Sequence, residues 1–546
     1  MPRYADSDDD TDAFDPDSGS DAYDDQPATK AKAKSAPPKK APTVPKPKAA
    51  PKPKAAAATK GKKKAAPLEE IDVNELDMDD DDDDDDDEAG EPTPAKKKPA
   101  AKGKAKSASE TYVKLTQLEH VLLRPDTYIG SVEPVTQPMW VYDRERDKMV
   151  YRNTTFVPGF YKIFDEILVN AADNKVRDPS MSEIRVTIDV EAQTISVKND
   201  GRGIPIEIHA KEGIWVPELI FGNLLTSSNY DDEEEKTTGG RNGYGAKLAN
   251  IYSTEFTVET VSKEKKYRQV FEDNMSVKGK PKVTDNKRGE KEYTLIAFKP
   301  DLARFSMADT GFDADILALL HKRVWDMAGI LKKVKVYLDG KLLRCKDFKT
   351  YVDKFITGVN EVAGAGAKKK KGAAADGAST AAAALLDDDD DLAVGEVAKP
   401  TVVYETYGDR WEVAFAVSDG QFSQVSYCNA IATTKGGTHV AYIADQIVQG
   451  LVDLVKKKNK AVAVKPFQIK SHLSVFVNCL VNNPSFDSQT KENMTLSAKK
   501  FGSKCELSDD FLKKVAKSGV IDNVLNWAKF KQDQMLKKTD GSKRSR

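Results

Sequence analysis

Cysteine is scarce in this chain: Cys345, Cys428, Cys479 and Cys505 are the only four in 546 residues. They lie far apart and show none of the paired spacings of a zinc site or a disulfide framework, which points to a reducing compartment. Long apolar runs are missing as well. No stretch approaches the roughly 20 residues of a membrane-spanning helix, and the polar N-terminus lacks the apolar core of a secretory signal, so a soluble intracellular protein with no membrane partner is expected. Nor is one sign of charge in surplus: 85 Lys and Arg against 87 Asp and Glu leave a formal net charge of -2. That sum argues neither for nor against nucleic acid, because acidic and basic blocks cancel while staying separate along the chain.

Bulky apolar side chains are nearly absent from residues 1–110, which run from an acidic opening through a Lys/Pro/Ala tract to the acidic block Asp79 to Glu88. Such a segment cannot offset the entropy of ordering, and a long disordered charged tail is expected. The clusters Lys62 to Lys64, Lys96 to Lys98 and Lys543-Arg544-Ser545-Arg546 suit nuclear import or nucleic-acid contact, and equally a solvated tail. A second low-complexity block, about 363–400, holds Lys368 to Lys371 and Asp387 to Asp391. It reads as a surface-loop insertion in a folded region.

What remains has the periodicities of two α/β regions. From Thr111 to about Pro300, amphipathic helical patterns alternate with strands of period two, as in a two-layer α/β sandwich. Helical and strand patterns resume from Asp313 to Phe355. After the insertion, Trp411, Val413, Phe415 and Val417 alternate with smaller or polar residues, and a strand from Leu473 to Val481 ends at the turn Asn482-Asn483-Pro484. Ser508 is placed to cap a helix whose first turn carries Asp509 and Asp510. The expected division is 1–110 tail, 111–305 first domain, 306–505 second α/β domain, and 506–546 helical linker with a basic end.

Three segments carry candidate chemistry. In the helical pattern Gly159 to Asn174, Phe160, Ile163, Phe164, Ile167, Leu168 and Ala171 share a face, so the helix packs on a sheet. Glu166 and Asn170, four apart, are stacked beside that stripe. A carboxylate there can deprotonate a water, and a carboxamide oxygen one turn on can ligate a phosphate-bound magnesium ion; alone, the pair is equally a solvated polar edge. Next, Ile184, Val186 and Ile188, then Ile195 and Val197, alternate as a hairpin with one buried face. Asn199 continues that inward parity, where a purine edge would satisfy its amide, and Gly201-Arg202-Gly203 lets a flat base approach the backbone. A Gly-rich turn whose Asn bonds locally is the plainer alternative. Third, Gly239-Gly-Arg-Asn-Gly-Tyr-Gly-Ala-Lys247 leads into a helical pattern and offers backbone N–H groups to an anion. It has neither the P-loop spacing nor the dinucleotide-fold spacing.

The ordered set of acid–amide helix, purine-edge hairpin, the polar stretch Ser227 to Asp232 and glycine loop resembles the ATPase superfamily of gyrase, MutL, histidine kinases and a class of heat-shock chaperones. Sequence outside the pocket narrows this. Thr116 to Gly130 with Met139 to Tyr142, Asp165 to Lys175, Leu224 to Asp232 and Asp487-Ser-Gln-Thr-Lys-Glu-Asn-Met-Thr495 resemble the ATPase and transducer region of eukaryotic-type DNA topoisomerase II, over about Tyr112 to Lys538.

That resemblance implies a Bergerat-type α/β sandwich followed by a transducer, with ATP and Mg2+ as ligands. It implies that Glu166 activates water, that Asn170 holds the metal and that Asn199 reads adenine. Ser227, Ser228 and Asn229 would meet the ribose and phosphates, and the loop Gly240, Arg241, Asn242, Gly243, Tyr244, Gly245, Ala246 and Lys247 would wrap the triphosphate. Gln489, Thr490 and Lys491 would reach in from the second domain, with Lys491 on the γ-phosphate, and Tyr112 would reach a partner protomer's nucleotide. The implied protein is a nuclear homodimer that closes a gate on double-stranded DNA, with Lys456, Lys457 and Lys458 lining the DNA cavity. A metal-binding cleavage domain and a tyrosine-bearing winged helix, which the family also carries, are not visible. The chain is therefore expected to hydrolyse ATP without cutting DNA, as part of a whole enzyme or as a stand-alone subunit acting with a separate cleavage chain. A chaperone or mismatch-repair clamp would leave the N-terminal strap, Thr116 to Gly130 with Met139 to Tyr142, and the loop Gln489-Thr490-Lys491 without a role, and Glu166 speaks against a silent regulator.

Overall fold

The computed structural model describes residues 114–226, 234–240, 242–356, 401–458 and 464–539. The N-terminal tail, Tyr112, Ser227, Ser228, Asn229, Arg241, the insertion near 363–400 and the C-terminal basic cluster lie outside the described residues. All the described residues belong to one compact unit.

A short helix, α1 (Gln117–Leu123), opens the described chain, and it is bounded by a capping box: the Thr116 side chain accepts from Glu119 N while Glu119 accepts from Thr116 N. The hairpin β1 (Val135–Asp143) and β2 (Lys148–Phe156) follows. Helix α2 (Pro158–Arg177) starts with a proline that needs no donor there, and its Phe160, Ile163, Phe164, Ile167 and Leu168 are buried.

The surface that α2 covers is a sheet. Strands β3 (Glu183–Asp189) and β4 (Thr194–Asp200) bury alternate residues, as their period-two patterns predict. Helix α3 (Gly245–Ile251) precedes β5 (Ser253–Ser262), β6 (Lys265–Glu272), β7 (Val277–Lys278), β8 (Lys282–Asp285) and β9 (Tyr293–Pro300). After helix α4 (Ala314–Ile330), capped by Asp313, come β10 (Lys335–Leu338) and β11 (Lys341–Leu342). Among the described residues the order is β11-β10-β3-β4-β9-β5-β6-β7, with β8 on β6. Strand β10 pairs parallel with β3, so residues 335–342, which the sequence places with the second domain, complete the first sheet. Local pattern carries no information about so distant a partner.

The second sheet has the order β12 (Val403–Tyr407), β13 (Trp411–Val417), β17 (Leu473–Cys479), β14 (Ser423–Cys428) and β15 (Ile431–Ala432). A small ribbon joins β16 (Gly436–Gly437) to β18 (Asn493–Met494). Helix α5 (Thr438–Lys458) lies on one face of this sheet, and α6 (Asp509–Lys517), capped by Ser508, leads into α7 (Val520–Thr539). The alternation read in β13 is incomplete in the structure: Glu412, Ala414 and Ala416 are buried along with Trp411, Val413 and Phe415. The reason is cover on both faces. Helix α4 and helical residues 348–356 fill the space between the two sheets, with Tyr351 and Phe355 packed against Tyr427 and Phe476.

That interlayer space also encloses charge. Arg323 of α4, fully buried, donates from Nε to Asp165 Oδ1 of α2 at 2.6 Å and from Nη2 to the Ala430 carbonyl at 2.6 Å. Lys322 donates to Asp326 Oδ2 at 3.0 Å, and Tyr351 donates to Asp326 Oδ1 at 2.6 Å. The helix that carries Glu166 is thereby tied through α4 to the β14–β15 turn.

Among the described residues no helix is long and apolar enough to cross a membrane. The four cysteines are unpaired.

Candidate active site

The site grows from one helix. Glu166, Asn170 and Asp173 stand successively along α2, and each meets a different neighbour. Glu166 is 4% exposed, and its Oε1 accepts from Lys162 Nζ at 2.8 Å and from Lys491 Nζ at 3.0 Å. Lys162 is one turn back on the same helix, whereas Lys491 arrives from the loop before β18. Burial alone would raise the Glu166 carboxyl, but the two ammoniums overcome it and hold the group down at about 2. The other oxygen, Oε2, faces the glycine loop. A Cβ added at Gly245 would overlap it, which is why the first residue of α3 must be glycine.

Asp173, two turns further on, accepts from Gly239 N at 2.8 Å and Gly240 N at 2.9 Å. Burial drives its carboxyl up to about 6 against those two donors. The base of the glycine loop is therefore hung on α2 by its own amides. A Cβ at Gly240 would also lie 3.5 Å from Asn170 Oδ1, so that carboxamide oxygen faces the loop. No hydrogen bond engages Asn170 among the described residues, and no group of three His, Cys, Asp or Glu there could hold a metal ion. A magnesium ion at this place would have a single neutral oxygen from α2 and would need phosphate and water oxygens for the rest, which is the coordination magnesium takes in nucleotide sites.

The third sequence element comes to the same helix. Asn199, at the end of β4 and 5% exposed, donates to the Asp200 carbonyl at 2.9 Å, and Asn174 of α2 donates to the same carbonyl at 3.3 Å. Asp200 itself turns away to accept from Ser182 N and Oγ and from Glu183 N. A Cβ at Gly203 would overlap the Val261 carbonyl, so close backbone approach fixes that glycine. The hairpin end and the glycine loop thus both come against α2, at Asn174 and at Glu166 and Asp173 respectively.

The remaining sequence candidates sit as follows. Gly243 has φ +67, a left-handed conformation open to glycine. Tyr244 packs its ring 6.2 Å from that of Tyr128, and Ala246 lies against the first core. Lys247 is buried and donates to the Thr226 carbonyl at 2.8 Å; desolvation lowers its ammonium to about 8. Asn242 donates to Gln489 Oε1 at 2.8 Å, a direct bond between the glycine loop and the loop of the second sheet. Thr490 points the other way, its methyl beside Gly130, with its hydroxyl on Ser488 and Glu492. Lys491 holds φ +62. A hollow of about 340 Å3 opens here, lined by Gly239, Asn242, Phe486, Asp487, Gln489 and Lys491. Lys456 and Lys457 are exposed at the end of α5, away from these contacts; the Lys458 side chain lies outside the described residues.

Sequence reasoning passed over several residues that build this site. Lys162 and Asp173 are two, although their spacing of four and seven from Glu166 marks both as neighbours on the helix surface. Asn429, Asn482 and Asn483 are others: Asn483 N donates to Lys236 O at 2.9 Å, Asn482 Nδ2 to Glu235 Oε2 at 2.7 Å and Asn429 Nδ2 to Thr238 O at 3.3 Å. They dock the strand of chain leading into the glycine loop onto the second sheet. No local signal separates them from ordinary turn asparagines.

A pocket built this way defines a class. Residues 158–303 match the family model described as histidine kinase-, DNA gyrase B-, and HSP90-like ATPase, and residues 377–543 match that of DNA gyrase B. The solved ATPase region of Saccharomyces cerevisiae topoisomerase II is similar at 49% identity and TM-score 0.67, over 78% of this chain and 100% of that one. The ATPase and transducer domains of DNA topoisomerase II from Balamuthia mandrillaris are similar at 45% identity and TM-score 0.68, again over 78% and 100%. DNA topoisomerase 2 of Arabidopsis thaliana is 54% identical over 444 residues, 81% of this chain and 28% of that protein. The chain belongs to the type II DNA topoisomerase family, within its ATPase and transducer region. It spans little more than a quarter of the length of the curated relative from Arabidopsis.

Proposed function

We propose that this chain is the ATP-operated gate of a type II DNA topoisomerase, a nuclear enzyme that passes one DNA duplex through another. The observation that carries the reading is the 3.0 Å bond from Lys491, on the loop of the second sheet, to Glu166 on the helix of the first. Chemistry and domain arrangement meet at one carboxylate. Residues 111–305 are read as the ATPase domain, its sheet completed by β10 and β11, 306–505 as the transducer and 506–546 as a helical linker; the similarity to topoisomerase II favours the gate reading over a stand-alone subunit.

In this reading adenine sits at Asn199 and the triphosphate runs along the glycine loop; Asn170 would hold Mg2+, which would supply neutralisation of phosphate charge. Glu166 Oε2 takes a proton from the attacking water, whose oxygen bonds to the γ-phosphorus; the bond to ADP breaks and ADP leaves with the electron pair. A carboxylate flanked by two ammoniums is a weak base. Transfer of Lys491 from Glu166 to the γ-phosphate removes one of them, so the base strengthens as the nucleotide is seated and the second domain is drawn in. Binding energy is thus coupled to closure. Ser227, Ser228, Asn229 and Arg241 complete the nucleotide contacts, Tyr112 reaches the partner protomer, and Lys456 to Lys458 hold DNA phosphates without sequence choice and with strong salt dependence.

Two measurements test this. Glu166→Ala should keep nucleotide binding and abolish turnover; comparable turnover in the variant removes Glu166 as the base. Sedimentation with a non-hydrolysable ATP analogue should show dimers, and a persistent monomer at saturation defeats the gate.

A further inference from the structure

Glu166 has two oxygens, and the structure divides them. Oε1 takes both ammoniums, Lys162 at 2.8 Å and Lys491 at 3.0 Å, while Oε2 is pressed against the Cα of Gly245 on the glycine-loop side. The two oxygens of a carboxylate are equivalent, so what has to be fixed is the plane and direction of the group at the end of three rotatable bonds, with one oxygen toward the loop. That orientation must persist when Lys491 is engaged elsewhere. Lys491 sits on a loop and belongs to the other sheet. Lys162 sits on α2 itself, one turn before Glu166, is 4% exposed, and has the Asp165 carboxylate at 3.7 Å on its other side. Its ammonium is therefore fixed relative to Glu166 by the helix, whatever the second sheet does.

We propose that Lys162 is a positioning residue for ATP hydrolysis: it holds Oε1 of Glu166 and thereby keeps Oε2 turned to the glycine loop, where the attacking water stands. The inference rests on the reading of Glu166 as the base. The surroundings support an orienting role over a purely charge-balancing one. The charged groups acting on Lys162 are Glu166 and Asp165 of α2 and Arg323 of α4, and Glu166 meets Lys491 from the loop as well. Arg323 already pairs with Asp165, and Lys247 is spent on the Thr226 carbonyl. Of the cations around α2, Lys162 and Lys491 are the two bonded to Glu166, and Lys162 is the one that shares its helix.

The test separates holding from packing. Lys162→Met keeps the length and apolar stem of the side chain and removes every donor; Lys162→Gln keeps an N–H donor at the same helical spacing and removes the charge. Both are made in the whole chain, with steady-state ATP hydrolysis and binding of a non-hydrolysable ATP analogue as readouts. Lys162→Met should lose about tenfold to a hundredfold in kcat, with KM and analogue affinity within about twofold of the parent, because misplacing a reacting group acts on the transition state. Lys162→Gln should recover at least about a third of that logarithmic loss. Parent-like kcat in Lys162→Met overturns the proposal, and so does loss of analogue binding in both variants, which would make Lys162 a packing residue. Glu166→Gln serves as the reference: if it turns over ATP normally, the base assignment itself fails, whereas a dead Glu166→Gln beside an unimpaired Lys162→Met sinks the positioning role alone.

Discussion

Two buried ion clusters begin at neighbouring residues of α2 and serve different ends. Asp165 faces Arg323, and that cluster is enclosed: guanidinium, carboxylates, the Lys322 ammonium and the Tyr351 and Tyr427 hydroxyls face one another, Nη2 bonds the Ala430 carbonyl, and Nη1 lies 3.7 Å from Asp326 Oδ2 without a hydrogen bond. Glu166 faces Lys162 and Lys491, and that cluster is open: one of its cations belongs to a loop beside a hollow, and Oε2 lies where a side chain on Gly245 would be. An enclosed cluster has no alternative partner to offer, so it fixes geometry. An open one exchanges a partner for a ligand at small net cost. Burial is alike in the two; the difference lies in whether a partner has somewhere else to go.

The sharpest way to break this comparison is Arg323→Met. Removing the guanidinium leaves Asp165 and the Ala430 carbonyl without their donor, and breaking a buried pair costs about 3–5 kcal/mol; chemical denaturation should show that loss, with near-normal kcat per folded molecule. A variant that is stable but catalytically dead would erase the distinction. Next in size, Lys491→Met should lower kcat by about a hundredfold while stability moves by less than about 1 kcal/mol, because Glu166 retains Lys162. A smaller effect concerns pH. Asp173 is raised to about 6 in the folded protein, so its folded form binds a proton that the unfolded chain releases from about pH 4 upward, and stability should fall as pH rises from about 4 to 6 and then level. Glu166 has the opposite sign: its contribution is present above its unfolded value and lost as pH falls toward about 2. Denaturation of Asp173→Asn across pH 4 to 7 should remove the downward slope; an unchanged slope assigns it elsewhere. The mildest test is Asn242→Ala, which deletes one exposed bond between the loops. It should cost under about 1 kcal/mol in stability and raise KM for ATP about twofold to fivefold.

The same comparison explains what the sequence made legible. Glu166, Asn170, Asn199 and the glycine loop could be found because each sits at a fixed phase within an element, and helical or strand period turns phase into direction. The Ser508 cap and the β3–β4 hairpin were readable for the same reason. Arg323 was not, since an arginine deep in an apolar helix has no periodic signature of its partner 158 residues away. Asn429, Asn482 and Asn483 escaped likewise. The parallel pairing of β10 with β3 was invisible because two short strands separated by α4 and most of the first sheet say nothing of each other locally. Lys162 and Asp173 have the same phase on the helix as Glu166, at spacings of four and seven, but a charged residue there has no local signature that separates it from a solvated one.

Among the described residues the backbone passes from the nine-stranded sheet to the five-stranded one a single time, between β11 and β12. The remaining ties between the layers are the shared core, the Arg323 cluster and bonds such as Asn483 N to Lys236 O, and nearest the hollow Asn242 with Gln489 and Glu166 with Lys491, two latches at its mouth. Whatever occupies that mouth competes with the latches for the same atoms.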